Sequence, residues 1–354
     1  MKVNFDISVL NTHVPTGVGV YTFELIKALS NIEKVKISGS YKISNVKRLK
    51  TIKSNINIPF TTPYIPTLYN FFPHNFDVFH GPNFWTPPTK GIKTVVTVHD
   101  LAHFNPNYST NERCQRASFL FDRLVNEYKP DRIITVSDFV RNELLNRYPH
   151  LEKDTYTVYH GADHLMEKSS STPYFNFPYL LYLGTLEHRK NIKGLFDAYE
   201  TIKSKIKGVK LVLVGNPSGH GGEEIVRYIK ENDNSNNVVI TGYLDNSSVK
   251  SILKNAVCSI YPSLYEGFGI PILEAMQFDI PVITSSFGAM QEVAGDAALL
   301  VDTRNKEEFS NAILNIVYNG SLRNQLITLG RKRSASFTWK KTAENSLKVY
   351  ESIE

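Results

Sequence analysis

The sequence predicts an α/β protein built from two doubly wound domains in tandem. Three observations carry this. Strand-like and helix-like segments alternate along nearly the whole chain, as parallel sheets with crossover helices require. The alternation breaks once, at "MEKSSSTPYFNFP" (166–178), where Ser, Thr and Pro cluster, and then restarts. The 354 residues exceed one ordinary domain and suit two of roughly 150–200 residues each.

In the first half, "KVNFDISV" (2–9), "DVFHG" (77–81), "KTVVTVHD" (93–100) and "RIITVS" (132–137) read as strands. "GVYTFELIKALS" (19–30), "NERCQRASFLFDRLVNEY" (111–128) and "SDFVRNELLNRY" (137–148) have helical spacing, the last with Ser137 as N-cap. After the break come "YLLYLG" (179–184), "VKLVLVG" (209–215), "NVVITG" (237–242), "AVCSIYPS" (256–263), "PVITSS" (281–286) and "AALLVD" (297–302). Helical runs such as "NIKGLFDAYETIKSKI" and "SSVKSILKNA" lie between them. The chain closes on the amphipathic "TWKKTAENSLKVYESI" (338–353). The expected divisions are 1–170, 171–336 and a closing helix at 337–354.

Composition narrows the class. Hydrophobic content of 42% with 21% charged residues is that of a soluble globular protein. "MKVNFDISVL" reads as a first strand and not as a signal peptide, and no stretch approaches 18 uninterrupted apolar residues. Cys114 and Cys258 match no metal-ligand spacing; Cys258, in "AVCSIYP", reads as a reduced core residue of a cytoplasmic protein. The net charge of +6 suits an anionic ligand, nucleic acid or an anionic membrane without choosing among them. Residues 34–53 hold seven Lys/Arg and no acid, and a Pro- and aromatic-rich stretch follows. That segment reads either as a solvated loop or as a peripheral contact with anionic lipid headgroups.

In open α/β sheets ligands bind beyond the carboxyl ends of the strands, and the conspicuous loops fall there. "HVPTGVGVY" (13–21) places Gly17 and Gly19 at a helix start, where backbone N–H groups can meet an anion or simply make a tight turn. It is no dinucleotide fingerprint, because Thr22 stands where the third glycine would be. "GTLEHRKN" (184–191) sets Arg189 beside Lys190 just before a helix that Asn191 could cap, an arrangement fit for a diphosphate or for plain solvent exposure. In "YEGFGIPILEAM" (265–276), Gly267 and Gly269 allow close backbone approach and Pro271 suits a first helical turn. Glu266 and Glu274 flank them, two carboxylates able to accept from the paired hydroxyls of a hexose and a ribose.

These blocks resemble the family-4 retaining glycosyltransferases, which have the two-Rossmann GT-B architecture. The Glu-x7-Glu signature matches Glu266 and Glu274. "TGVGVYTFEL", "VTVHDLAHFNP", "TVSDFVRNEL", "YLGTLEHRKNI", "LVGNPSG", "VVITGYLDNSSV", "PVITSSFGAMQEVAGDAALLVD" and "FTWKKTAENSLKVY" follow that family's order, closest in flavour to bacterial mannosyltransferases of surface-polysaccharide assembly. The resemblance implies that Glu266 contacts donor-sugar hydroxyls and Glu274 the ribose. It implies that Arg189 and Lys190 bind the diphosphate and stabilise the leaving nucleotide, with the N–H groups around Gly267, Phe268, Gly269 and Ile270 also facing the donor. Gly17 and Gly19 would complete the phosphate cradle. His99 would stand close to the reacting sugar, with Asp100 beside it, and Tyr243 and Leu244 would hold the base. Many members carry an arginine directly after the strand glycine; this chain has Thr185 there, which leaves Arg189 as the substitute. The closing helix would cross back onto the first domain.

The implied activity is retaining transfer of a hexose from a nucleotide-diphosphate sugar, best matched by mannose from GDP-mannose, to a glycan or lipid-linked glycan at the inner face of the plasma membrane. No cofactor or metal is expected: no Asp-x-Asp triplet occurs, and Arg189 with Lys190 can offset phosphate charge. Two alternatives are a sugar-nucleotide 2-epimerase of the same fold and a non-catalytic nucleic-acid or membrane-binding protein. The first lacks an evident acid/base set. For the second, residues 34–53 lack the repeated stacking aromatics of a single-strand platform, so no nucleic acid is expected.

Overall fold

The computed structural model describes residues 1–10, 16–48, 61–64, 74–87, 91–108, 112–166 and 173–353. The chain divides into two units, one of Met1–Gly161 with Trp339–Glu354 and one of Ala162–Thr338.

In the first unit the strands are β1 (Lys2–Asp6), β2 (Lys36–Lys42), β3 (Thr61–Tyr64), β4 (Val78–Gly81), β5 (Lys93–Val98), β6 (Arg132–Thr135) and β7 (Thr155–Thr157). They form a parallel sheet in the order β3-β2-β1-β4-β5-β6-β7. Strands covered on both faces read as nearly unbroken β-branched runs, and "KTVVTV" and "RIIT" are buried in that way. The first strand stops at Asp6, short of the expected run to residue 9, because Ile7–Leu10 turns into a 3-10 helix. Ser137 caps the helix Asp138–Arg147, its hydroxyl accepting from the Val140 N–H. The closing helix Trp339–Glu351 belongs to this unit: Trp339, Ala343, Leu347 and Tyr350 share a core with Val3, Phe5, Tyr21, Leu25 and Ile134. Each large side chain buried so contributes about 1.5–3 kcal/mol.

The basic segment 34–53 needs correction. Lys36–Lys42 is neither a solvated loop nor a free surface stripe but strand β2, paired with β1 and β3, with Ser40 and Tyr41 buried. Lysines stand at both ends of the strand; the Lys42 ammonium rests 3.9 Å from the Trp85 ring centroid, a cation over an aromatic face. Ile43–Arg48 continues as a 3-10 helix; residues 49–53 lie outside the described residues.

The second unit holds β8 (Tyr179–Leu183), β9 (Lys210–Val214), β10 (Val238–Gly242), β11 (Cys258–Tyr261), β12 (Val282–Ser285) and β13 (Leu299–Val301). Their order is β10-β9-β8-β11-β12-β13, all parallel. Leu180, Leu181, Leu211, Val212, Ile260 and Ile283 form the middle of its core. Cys258 is fully buried there, and burial pushes its thiol pKa up.

The chain passes between units at 161/162 and 338/339, not at 170/171 and 336/337. Ser/Thr/Pro composition marks the flank of the passage rather than the passage itself: Asp163–Leu165 is a short 3-10 turn already belonging to the second unit.

Candidate active site

Strand order reverses at β8 and β11, so the loops that leave these neighbours run to opposite sides and open a crevice between them. Glycine makes the first loop possible. Gly215 sits at φ +151, and a Cβ there would lie 1.9 Å from the Gly184 carbonyl oxygen. With that contact open, the loops after β8 and β9 run side by side, the Leu186 N–H donating to Asn216 O at 2.9 Å and the His188 N–H to His220 O at 3.0 Å.

The loop after β8 ends in the 3-10 turn His188–Lys190, then Asn191 at φ 56, then the helix Ile192–Ile202. Asn191 stands at the N-cap position without capping by its side chain; its Nδ2 donates instead to Thr303 O at 2.9 Å. A left-handed backbone at Asn191 turns the side chain away from the helix start. The loop after β11 is stitched to this one where the Leu264 N–H donates to Arg189 O at 2.7 Å. Gly269, at φ 109, then turns the chain into the helix Ile270–Gln277, with Pro271 in its first turn as expected.

The two loops bring Arg189, Lys190 and Glu266 together. Arg189 Nη1 lies 2.9 Å from Glu266 Oε2, and its Nη2 lies 2.9 Å from Glu187 Oε1. Lys190 Nζ contacts Glu266 Oε1 and donates to the Tyr261 hydroxyl at 2.9 Å. That hydroxyl donates to Glu266 Oε1 at 3.2 Å. Lys190, Glu266 and Tyr261 are buried. Burial alone would raise the Glu266 pKa, but the charges of Arg189 and then Lys190 outweigh it and hold the carboxyl at about 2. Burial, reinforced by Glu266, pushes the Tyr261 phenol well up. Two cations face two carboxylates, so the cluster is neutral as it stands.

Glu274 lies in the helix Ile270–Gln277, buried, with Oε1 3.1 Å from His164 Nε2. Phe268 is buried, its ring 6.0 Å from that of Phe337; Gly267 and Ile270 flank it and Gly269. Tyr243 and Leu244 follow β10, and exposed Tyr243 donates its N–H to Asn216 Oδ1 at 3.0 Å.

In the first unit Gly17 begins the helix Gly17–Ser30 and is exposed, but the Gly19 N–H is not free for an anion: Thr16 Oγ1, the N-cap, accepts it at 3.1 Å. The preceding loop residues 11–15 lie outside the described residues. His99 follows β5 and donates from Nε2 to Pro82 O at 2.8 Å. It stacks on His160 and meets Tyr21 edge-on, with ring centroids 5.4 and 4.8 Å away. Burial lowers its pKa, so the ring is neutral near pH 7. Asp100 turns to its own loop, accepting from the Ala102 N–H at 3.1 Å.

Comparison with known proteins now bears on this geometry. The family model described as Glycosyltransferase Family 4 matches residues 15–164, and the one described as Glycosyl transferases group 1 matches residues 167–333. The chain belongs to the family-4 glycosyltransferases. The O-antigen chain mannosyltransferase B of Escherichia coli is similar at 26% identity over 367 residues, covering 95% of this chain and 96% of its own. Sucrose-phosphate synthase from Thermosynechococcus elongatus is similar in structure, with a TM-score of 0.72 at 18% identity over 99% of this chain and 98% of its own. Anabaena HepE, solved with UDP and glucose, gives a TM-score of 0.74 at 16% identity over 99% and 100%. These likenesses give the glycosyltransferase its fold, GT-B, in the second unit and the first alike.

Sequence reasoning missed four residues of this glycosyltransferase's site region: Glu187, Tyr261, Thr303 and His164. Glu187 stands two residues before Arg189, a spacing with no periodic meaning in a loop. Tyr261 reads as one more apolar member of "SIYPS", and only the fold turns its hydroxyl toward Lys190 and Glu266. Thr303 and His164 come from distant segments, and no local pattern marks either.

Proposed function

We propose that this glycosyltransferase is a retaining, metal-independent enzyme that moves mannose from GDP-mannose to a glycan or lipid-linked glycan acceptor. The observation that carries the reading is the cluster of buried Lys190 and Glu266 with half-buried Arg189 at the crevice between β8 and β11. The mannose preference draws on the Escherichia coli relative, whose name is that of a mannosyltransferase.

In the reaction the bond from the anomeric carbon to the diphosphate oxygen breaks, and the acceptor oxygen bonds to that carbon on the same face. The acceptor's proton leaves with the nucleotide diphosphate or with solvent. Negative charge grows on the departing diphosphate, and Arg189 and Lys190 are the groups able to offset it. They need not abandon their carboxylates. A guanidinium has five N–H donors and an ammonium three, so each can hold a carboxylate and a phosphate oxygen at once. Glu266 holds both cations in fixed positions in a poorly solvated place, which is the preorganisation that charge-stabilising catalysis requires. Its remaining acceptor capacity would take donor-sugar hydroxyls, and Glu274 the ribose diol. Gly17, Gly19 and His99 keep their expected roles as proposals for the first unit, with Gly19 limited by its bond to Thr16.

Calorimetric binding of GDP-, UDP- and ADP-sugars, followed by transfer assays with EDTA present, tests the reading. GDP-mannose should bind best and turn over with EDTA, and NMR of the product should show the donor's anomeric configuration kept. Inverted product, or activity lost to EDTA and restored by magnesium, would count against it. Conversion of the sugar without transfer would favour the epimerase.

A further inference from the structure

Glu274 meets a residue far from it in sequence. His164, in the short turn Asp163–Leu165, puts Nε2 3.1 Å from Glu274 Oε1, and the two side chains are each only 9% exposed. A carboxylate buried to this degree is stable only with a partner, and Glu274 sits on a helix of Ile270–Gln277 that begins at left-handed Gly269. A glutamate has three side-chain torsions, the last broad and twofold. A donor fixed at one oxygen restricts that last torsion and so sets where the other oxygen points.

We propose that His164 is a positioning residue of the donor site: its Nε2–H anchors one Glu274 oxygen so that the other is presented to the ribose hydroxyls. This rests on the ribose role proposed for Glu274. His164 touches no substrate in this scheme; it acts through Glu274 alone.

The test uses the full chain and compares Kd for GDP with Kd for 2′,3′-dideoxy-GDP, with UDP and 2′,3′-dideoxy-UDP in parallel. The pair whose parent nucleotide binds wild type more tightly is the one read. Wild type should prefer the ribose form, and Glu274→Ala should remove that preference. His164→Ala should cut it about tenfold, the scale of one hydrogen bond to a charged group. His164→Gln, which keeps a side-chain N–H donor, should recover part of it. For His164→Ala, donor KM should rise more than kcat falls. If Glu274→Ala loses the preference while both His164 variants keep it whole, His164 is only a packing neighbour and the inference is wrong. If Glu274→Ala itself keeps the preference, the ribose reading falls and takes the inference with it. Should His164→Ala not fold, His164→Gln is read alone: a preference equal to wild type together with unchanged KM overturns the proposal.

Discussion

Toward the carboxyl ends of β4 and β5 in the first unit, the buried polar side chains are neutral. Tyr350 bonds to His80 Nδ1 at 2.7 Å, His80 Nε2 to Thr97 Oγ1 at 2.8 Å, and Thr97 to the Tyr21 hydroxyl at 2.8 Å. Burial pushes the His80 pKa down to about 3 and raises that of Tyr21, so neither carries charge near pH 7. Beyond β8 and β11 in the second unit the side chains are ionic: Glu266 between Arg189 and Lys190, and Glu187 behind Arg189. The two sheets share a doubly wound plan, yet the ends of β4 and β5 close with a neutral network and those of β8 and β11 with charges. Burying ions is costly and seldom improves stability over apolar packing. An ionic edge is therefore better explained by an ionic ligand than by folding, whereas the neutral edge suffices for cohesion.

The contrast breaks most directly at Lys190. Lys190→Ala should lower kcat by about 100-fold or more, the scale of removing one preorganised charge-stabilising group, while donor KM changes less. Arg189→Ala should resemble it, and the double variant should be less than additive because both bind Glu266. Steady-state kinetics on purified protein decides this. Near-normal kcat in Lys190→Ala would make the ionic edge a structural device like the neutral one.

Next in size is Glu274→Ala. The ribose role proposed for Glu274 predicts that its loss weakens GDP binding by about 1.5–3 kcal/mol, read by calorimetry. Unchanged affinity would remove Glu274 from the donor site and leave its pair with His164 as packing.

The two edges should also part company in acid. His80 is neutral in the fold with its pKa lowered to about 3. Unfolded chains take up that proton near pH 6.5 and the folded chain does not, so stability falls as pH drops from about 6.5 toward 3. Glu266 has its folded pKa depressed from 4.5 to about 2. Its contribution is complete above about 4.5 and is lost as pH falls from there through 2. Urea unfolding followed at separate sites in each unit should show the first unit weakening at higher pH than the second. Glu266→Gln should flatten the second unit's acid limb alone. Coincident acid limbs would mean that the neutral and ionic edges do not differ in the way their burial dictates.

Much of the second unit was legible because several of its strands are nearly unbroken apolar runs of the kind a covered parallel sheet demands, as in "YLLYL" and "KLVLV". The first unit was less so. β2 carries lysines at both ends and a glycine in the middle, and β3 contains Pro63, so neither announces a strand; the sheet imposes both. For the site, Arg189, Lys190, Glu266 and Glu274 stood out because glycines and proline punctuate their loops. Pairing Glu266 with the two cations was not legible, since residues 189 and 266 meet only through the β8–β11 adjacency. His164 and Tyr261 were hidden for the same reason: long-range contact leaves no mark in local composition.

The smallest effect should come from the neutral edge itself. Tyr350→Phe deletes one hydroxyl from the closing helix and leaves His80 Nδ1, fully buried, without the partner now at 2.7 Å. The ring stays and the apolar contacts of Trp339, Leu347 and Tyr350 with the first-unit core are kept, so the loss is that of an unsatisfied buried group, about 1–3 kcal/mol. The imidazole cannot recover by taking up a proton, because burial disfavours the charged ring. Urea midpoints of the first unit should drop with the slope unchanged, and kcat and donor KM at 25 °C should stay within twofold or so of wild type. A large loss of kcat with little loss of stability would invert the comparison. It would place the His80–Tyr350 pair among the groups that act in transfer and make the neutral edge, not only the ionic one, part of the chemistry.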